Sequence, residues 1–173
     1  MYRTPSYILL FIVMALSQIF LFNNLSISSY FAPLVYLVFL IMLPLELPPI
    51  AMLGLGLLTG VTMDFTMGIA GLNTIVSLAI VFVRPYWIRL LTPREDMRDE
   101  GIPSRGRLGK RLFWSYAVGM VLIHHTLFFL LESLSWAHLP GTLLRILLSS
   151  IGTLFLVGVT ERIFVSHIKS QIL

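Results

Sequence analysis

The chain has 173 residues, 57% of them hydrophobic and 12% charged, with a mean hydropathy of +0.92 and a formal net charge of +4. Soluble globular domains carry about 25% charged residues, so this composition excludes one and points to an integral membrane protein. The absence of cysteine also excludes disulfides, thiolate metal sites and lipid-modified cysteines.

At about 20 residues per crossing helix, the length accommodates a single membrane domain of five or six helices and no separate soluble domain. The first apolar segment spans 7–22 behind Arg3. Ala15 and Ser17 make a small-x-small site of the kind a signal peptidase cuts. The apolar run continues past it to Phe22, which favours a retained helix. A loop of Asn and Ser without charge follows.

The second segment, 31–43, is about 20 Å long as a helix against a hydrocarbon core of about 30 Å, too short to cross alone. Pro44, Glu46, Pro48 and Pro49 then form a tight turn that cannot be continuous helix, with Glu46 a solvated turn residue. The third helix, 50–63, carries Gly56 and Gly60 four apart, a flat face for close helix packing. Asp64 marks its outer end and is placed to cap the free amides opening the fourth helix, 69–90.

Eight of the twelve Lys and Arg residues lie between Arg84 and Arg111. The loop 91–111 within that stretch is the long polar run of the chain. Basic loops stay on the cytoplasmic side, which predicts six transmembrane helices with both termini cytoplasmic. The positive charge is therefore explained by topology and anionic lipid, not by nucleic acid. Arg84, Arg89, Arg94, Lys110 and Arg111 are candidate contacts for cytoplasmic partners or lipid. Gly101, Pro103, Gly106 and Gly109 predict mobility over 97–109.

The fifth helix, 112–134, is the clearest span, and a turn over 135–141 leads to the sixth, 143–159; the rest is a tail. Charges inside spanning segments are costly and mark candidate sites. Glu132 and Arg145 flank the turn at similar distances from its midpoint, which predicts an ion pair joining helices five and six. His124 and His125 are adjacent in helix five, about 100° apart, so they face different neighbours. They are expected to be buried and hydrogen-bonded. No HExxH motif, metal-ligand spacing, cofactor loop or nucleophile with a base is present, so the expectation is a protein that is not an enzyme and holds no cofactor.

Several stretches together resemble the rod shape-determining protein MreD family of bacterial inner-membrane proteins. They are Pro33–Tyr36 leading to Leu43–Pro49; Gly60 with Asp64; Gly71–Asn73; Arg84–Glu95; and Ile123–His125. Many relatives carry histidine where this chain has Asn73. The resemblance implies a multi-pass protein of the cytoplasmic membrane in the cell-elongation machinery, where it binds MreC and through it connects with MreB and the peptidoglycan synthases. It also implies a six-helix arrangement similar to the substrate-binding subunits of energy-coupling-factor transporters. A non-catalytic scaffold is thus the leading expectation. The alternative is a small-molecule-binding transporter subunit with an outer pocket near Asp64, Glu132 and Arg145.

Overall fold

The computed structural model describes residues 4–24, 30–92, 101–133 and 139–170, and all regular structure among them is helical. Five helices are long and apolar enough to cross a membrane, so the chain is a multi-pass membrane protein. They surround a short sixth segment.

Helix α1 (Thr4–Leu16) continues as a π-helical stretch over Ser17–Phe22. The chain then returns through 31–34, which form no regular structure, and a turn at 35–36 into α2 (Leu37–Met42). All six residues of α2 are buried, none exposed by more than 3%. Leu43 ends the helix in an extended conformation, as expected before Pro44. The second predicted helix is therefore helical only over 37–42, preceded by irregular chain at 31–34 and a turn at 35–36.

Pro48 caps α3 (Pro49–Met67) and Pro49 takes its first position, where a missing N–H costs nothing. Gly68 stops the helix in the left-handed conformation at φ 67°. Thus α3 outruns the expected 50–63, and Asp64 lies inside its last turn. Helix α4 (Leu72–Leu91) passes through Pro85 without ending.

Helices α3 and α4 pack closely. A Cβ on Gly60 would stand 2.8 Å from the backbone nitrogen of Thr74, and one on Gly56 2.7 Å from Val81 Cγ2. The flat glycine face is used against α4.

Beyond residue 100 the chain forms a short helix α5 (Arg105–Leu108), then α6 (Lys110–Ser133) and α7 (Leu139–Ser170). Within the described part of 97–109, where mobility was expected, Gly101, Pro103 and Ser104 are buried while Gly106, Arg107 and Gly109 are exposed. Leu45 and Gly101 share a backbone hydrogen bond of 2.9 Å. Two other sequence boundaries move as well. Pro140 and Gly141 belong to the first turn of α7 rather than to the preceding turn, and the supposed tail is helix to Ser170. At 32 residues, α7 is about 48 Å long, well beyond a hydrocarbon core of about 30 Å. Its last turns carry Glu161 and Arg162 at the end where α5 docks. That end, with Arg89, Arg105, Lys110 and Arg111, is called the basic end below.

Candidate functional site: the enclosed segment and its polar ends

A chain that turns from irregular to helical inside a membrane protein leaves backbone groups that neither water nor a long helix can satisfy. The part before α2 has its N–H groups met by side chains. Ser149 Oγ accepts from Ala32 at 3.0 Å, Thr153 Oγ1 from Leu34 at 3.2 Å, and Gln18 Oε1 from Val35 at 2.6 Å. Gln18, only 2% exposed, also donates to Asn23 Oδ1 at 2.8 Å. Phe31 packs over Gly152, where a Cβ would come within 2.8 Å of the ring. One face of α7, made of Ser149, Gly152 and Thr153, is therefore shaped to receive this segment.

The C-terminal end of α2 meets a cation. Arg84 is 2% exposed; its Nη2 donates to the carbonyl of Leu43, its Nη1 to that of Pro44 at 3.4 Å, and its Nε to Tyr116 Oη at 2.7 Å. Tyr116 passes its own hydrogen to the carbonyl of Ile41 at 3.0 Å. A guanidinium at the negative end of a helix is favoured by the aligned peptide dipoles, and its fork serves several carbonyls at once. Arg84 is thus not the exposed partner or lipid contact expected from sequence. Of that group, Arg89, Lys110 and Arg111 are exposed, and Arg94 lies outside the described residues.

A second polar cluster covers the other end of the segment. Asp64 Oδ1 accepts from Asn73 N at 2.8 Å and Nδ2 at 3.0 Å; Oδ2 accepts from Thr74 N at 2.9 Å and Oγ1 at 2.6 Å. The carboxylate therefore caps α4, and all four bonds reach it from donors. Asn73, its amide nitrogen committed to Asp64, offers Oδ1 to Tyr36 Oη at 2.9 Å. With the tyrosine hydrogen so used, His124 Nε2, 3.1 Å from Tyr36 Oη, must be the donor of that contact.

His125 faces the opposite way. Its Nδ1 donates to the Val121 carbonyl at 3.0 Å, leaving Nε2 to accept from Thr153 Oγ1 at 3.1 Å. Both histidines are fully buried. Through Thr153, which also receives the Leu34 N–H, His125 belongs to the same support of the segment before α2.

Glu132 and Arg145 are joined on the rim, with Nη1–Oε2 at 2.6 Å and Nη2–Oε1 at 3.4 Å. Arg145 lies over the Phe129 ring at 4.5 Å. The pair borders a cleft of about 660 Å³ that Gln18, Asn23, Thr66 and residues 31–34 also line. Asp64 is absent from that lining; its oxygens turn to Asn73 and Thr74. At the basic end, Glu46 is more than a solvated turn residue, because its Oε2 accepts the Gly101 N–H at 2.9 Å.

Sequence reasoning missed Gln18, the Ser149–Gly152–Thr153 face, Tyr116 and Glu161. Small and hydroxyl residues three and four apart in a spanning helix were a legible packing signal. Glu161, assigned to a tail, is 4% exposed. It accepts from Arg105 N at 2.9 Å and Nε at 2.7 Å and is also paired with Arg105 Nη2. Among the described residues no cluster of His, Cys, Asp or Glu is arranged to hold a metal ion. No family model, characterised protein or solved structure matches the chain.

Proposed function

We propose that this chain is a non-catalytic scaffold of the MreD type in the bacterial cytoplasmic membrane, binding the transmembrane helix of MreC and linking it to the wall-synthesis machinery. One observation carries this reading. The residues that make the resemblance, Leu43, Pro44, Gly60, Asp64, Asn73, Arg84, His124 and His125, converge on or beside the enclosed segment. There their polar atoms are spent chiefly on the chain's own backbone and on one another. Such an interior builds a frame. The surfaces left for function are the apolar outer faces, such as Leu147, Ile151 and Phe155 on α7, and the basic end.

In this reading the 31–43 segment counts as the sixth crossing and both termini are cytoplasmic. Arg89, Arg105, Lys110, Arg111 and Arg162 belong to helix ends on one side, and the positive-inside rule puts that side in the cytoplasm. Aqueous labelling of single cysteines introduced near Lys110 and near Thr66 tests this topology.

The cleft bordered by Glu132 and Arg145 favours the second reading, a small-molecule-binding subunit of a transporter. Its size suits a ligand, and it has both charges. Purification from native membranes in mild detergent, followed by mass spectrometry of proteins and small molecules, separates the two. MreC and peptidoglycan synthases without a stoichiometric ligand support the scaffold. A bound small molecule with ATPase subunits overturns it.

A further inference from the structure

Between the proline turn, the start of α3 and the last turns of α4 lies a groove of about 640 Å³. Its composition changes along its length. Leu53, Val81 and Phe82 make an apolar wall, while Glu46 and Arg89 stand nearer the basic end. Phe82, Tyr86 and Arg89 follow one another at helical spacing along α4, so the stripe passes from ring to guanidinium over about 10 Å. Phe82 and Tyr86 are 59% and 60% exposed, with ring centroids 5.5 Å apart.

Arg84 borders the same groove. Its hydrogen-bond partners are the uncharged oxygens of Leu43, Pro44 and Tyr116 and the sulfur of Met52. The ion pairs among the described residues join Arg105 to Glu161 and Arg145 to Glu132, so the Arg84 charge is buried without a carboxylate against it. Arg89 makes no ion pair among the described residues either. Glu46 offsets part of this charge, and one of its oxygens is engaged by the Gly101 N–H. Two guanidinium groups against one carboxylate leave the groove net positive, and its low-dielectric walls focus that field.

We propose that this groove binds an anionic phospholipid of the adjoining leaflet. Arg89 contacts the phosphate, the buried charge of Arg84 attracts it from behind, and an acyl chain lies along Leu53 and Phe82. A lipid fits better than a free anion because the charge stands at one end of an apolar channel that opens beside exposed, membrane-facing rings. The inference is independent of which proteins the chain assembles with.

The test is native mass spectrometry of the delipidated full chain, titrated with phosphatidylglycerol or with phosphatidylcholine of the same acyl chains. The wild type should retain phosphatidylglycerol about fivefold more strongly, the scale set by roughly one basic contact at a membrane surface. Arg89→Gln should bring the two lipids close to parity. Arg111→Gln, which removes an exposed basic residue outside the groove, should leave the preference intact. Phe82→Ser should weaken both lipids alike. Equal retention of the two lipids by the wild type overturns the proposal, as does an equal loss in Arg111→Gln. Displacement of the lipid by millimolar inorganic phosphate would assign the groove to a free anion instead.

Discussion

Arg84 reaches 41 residues back along the chain to hold the terminal carbonyl of Leu43. A helix of six residues cannot satisfy its last four carbonyls internally, and this one ends at Leu43, which is 1% exposed. The guanidinium, helped by Tyr116, serves the carbonyls of Ile41, Leu43 and Pro44. Burying an arginine is costly, but leaving several carbonyls unpaired in an apolar interior is costly as well. The fold resolves both with one side chain.

Tyr116→Phe removes the hydrogen bond to Ile41 and a partner of Arg84, and should cost about 1–3 kcal/mol. Arg84→Met should cost more, because it frees two carbonyls and the tyrosine together. Arg84→Lys should fall close to Arg84→Met, since one ammonium cannot span the three acceptors that a planar fork reaches. The readout is the temperature at which the detergent-solubilised protein loses its monodisperse gel-filtration peak. Wild-type behaviour of Arg84→Lys would refute the argument for a fork.

Two glycines of α3 should respond in opposite ways to alanine. At Gly60 the added methyl meets the Thr74 backbone, which cannot rotate away, so α3 and α4 must separate. At Gly54 nothing lies within 4 Å, and the gain in helix propensity, about 1 kcal/mol, is free to act. Gly60→Ala should therefore lower the melting temperature while Gly54→Ala holds or raises it. Equal effects at the two sites would mean that close packing of α3 on α4 is not what Gly60 provides.

Sequence patterning revealed the long helices, because each is an apolar run bounded by proline, glycine or charge. It also showed that 31–43, taken as one helix, is shorter than a hydrocarbon core. It did not reveal that α2 is enclosed, since a continuous apolar run reads alike whether it faces lipid or protein. Arg84 was misplaced because it adjoins a basic loop in sequence, whereas its side chain turns to Leu43, Pro44 and Tyr116, 32 to 41 residues away, a contact that local charge does not report. Glu161 was missed because the apolar run of α7 stops before the helix does. Asp64, Gly60 and the Glu132–Arg145 relationship were legible because each depends on spacing within one hairpin. The supports at Gln18, Ser149 and Thr153 join segments 17 to 119 residues apart, which local spacing cannot report.

Asp64 separates a structural carboxylate from a ligand-binding one. Each of its oxygens receives two donors. In Asp64→Asn, one oxygen becomes an NH₂ group facing the N–H and hydroxyl donors of Thr74 or the two of Asn73. We expect Asp64→Asn to destabilise the protein by about 1–3 kcal/mol, close to the effect of Asp64→Ala, because isosteric shape does not restore acceptance. Asn73→Ala should compound poorly with it, since the two share bonds. If Asp64→Asn were as stable as wild type, the cap would not be what the residue supplies.

The two ion pairs differ in burial and should differ in their response to salt. Arg145 and Glu132 are about one-third exposed, whereas Arg105 and Glu161 are 18% and 5% exposed. Screening acts on the first and little on the second. The inner pair also fastens α5 to α7, since Glu161 takes the Arg105 backbone N–H and Arg105 reaches the carbonyl of Gly158 at 3.1 Å. Glu161→Gln should therefore release α5 and open the bonds after Arg105 and Arg107 to trypsin, several times faster than in the wild type at low and at high salt. Exchanging Glu132 and Arg145 for one another should leave those cleavages unchanged. It should recover only part of the stability lost in Arg145→Glu alone, because the arginine no longer lies over Phe129. Rapid tryptic cleavage after Arg105 in the wild type at low salt would show that the Glu161 clamp does not hold α5 in solution.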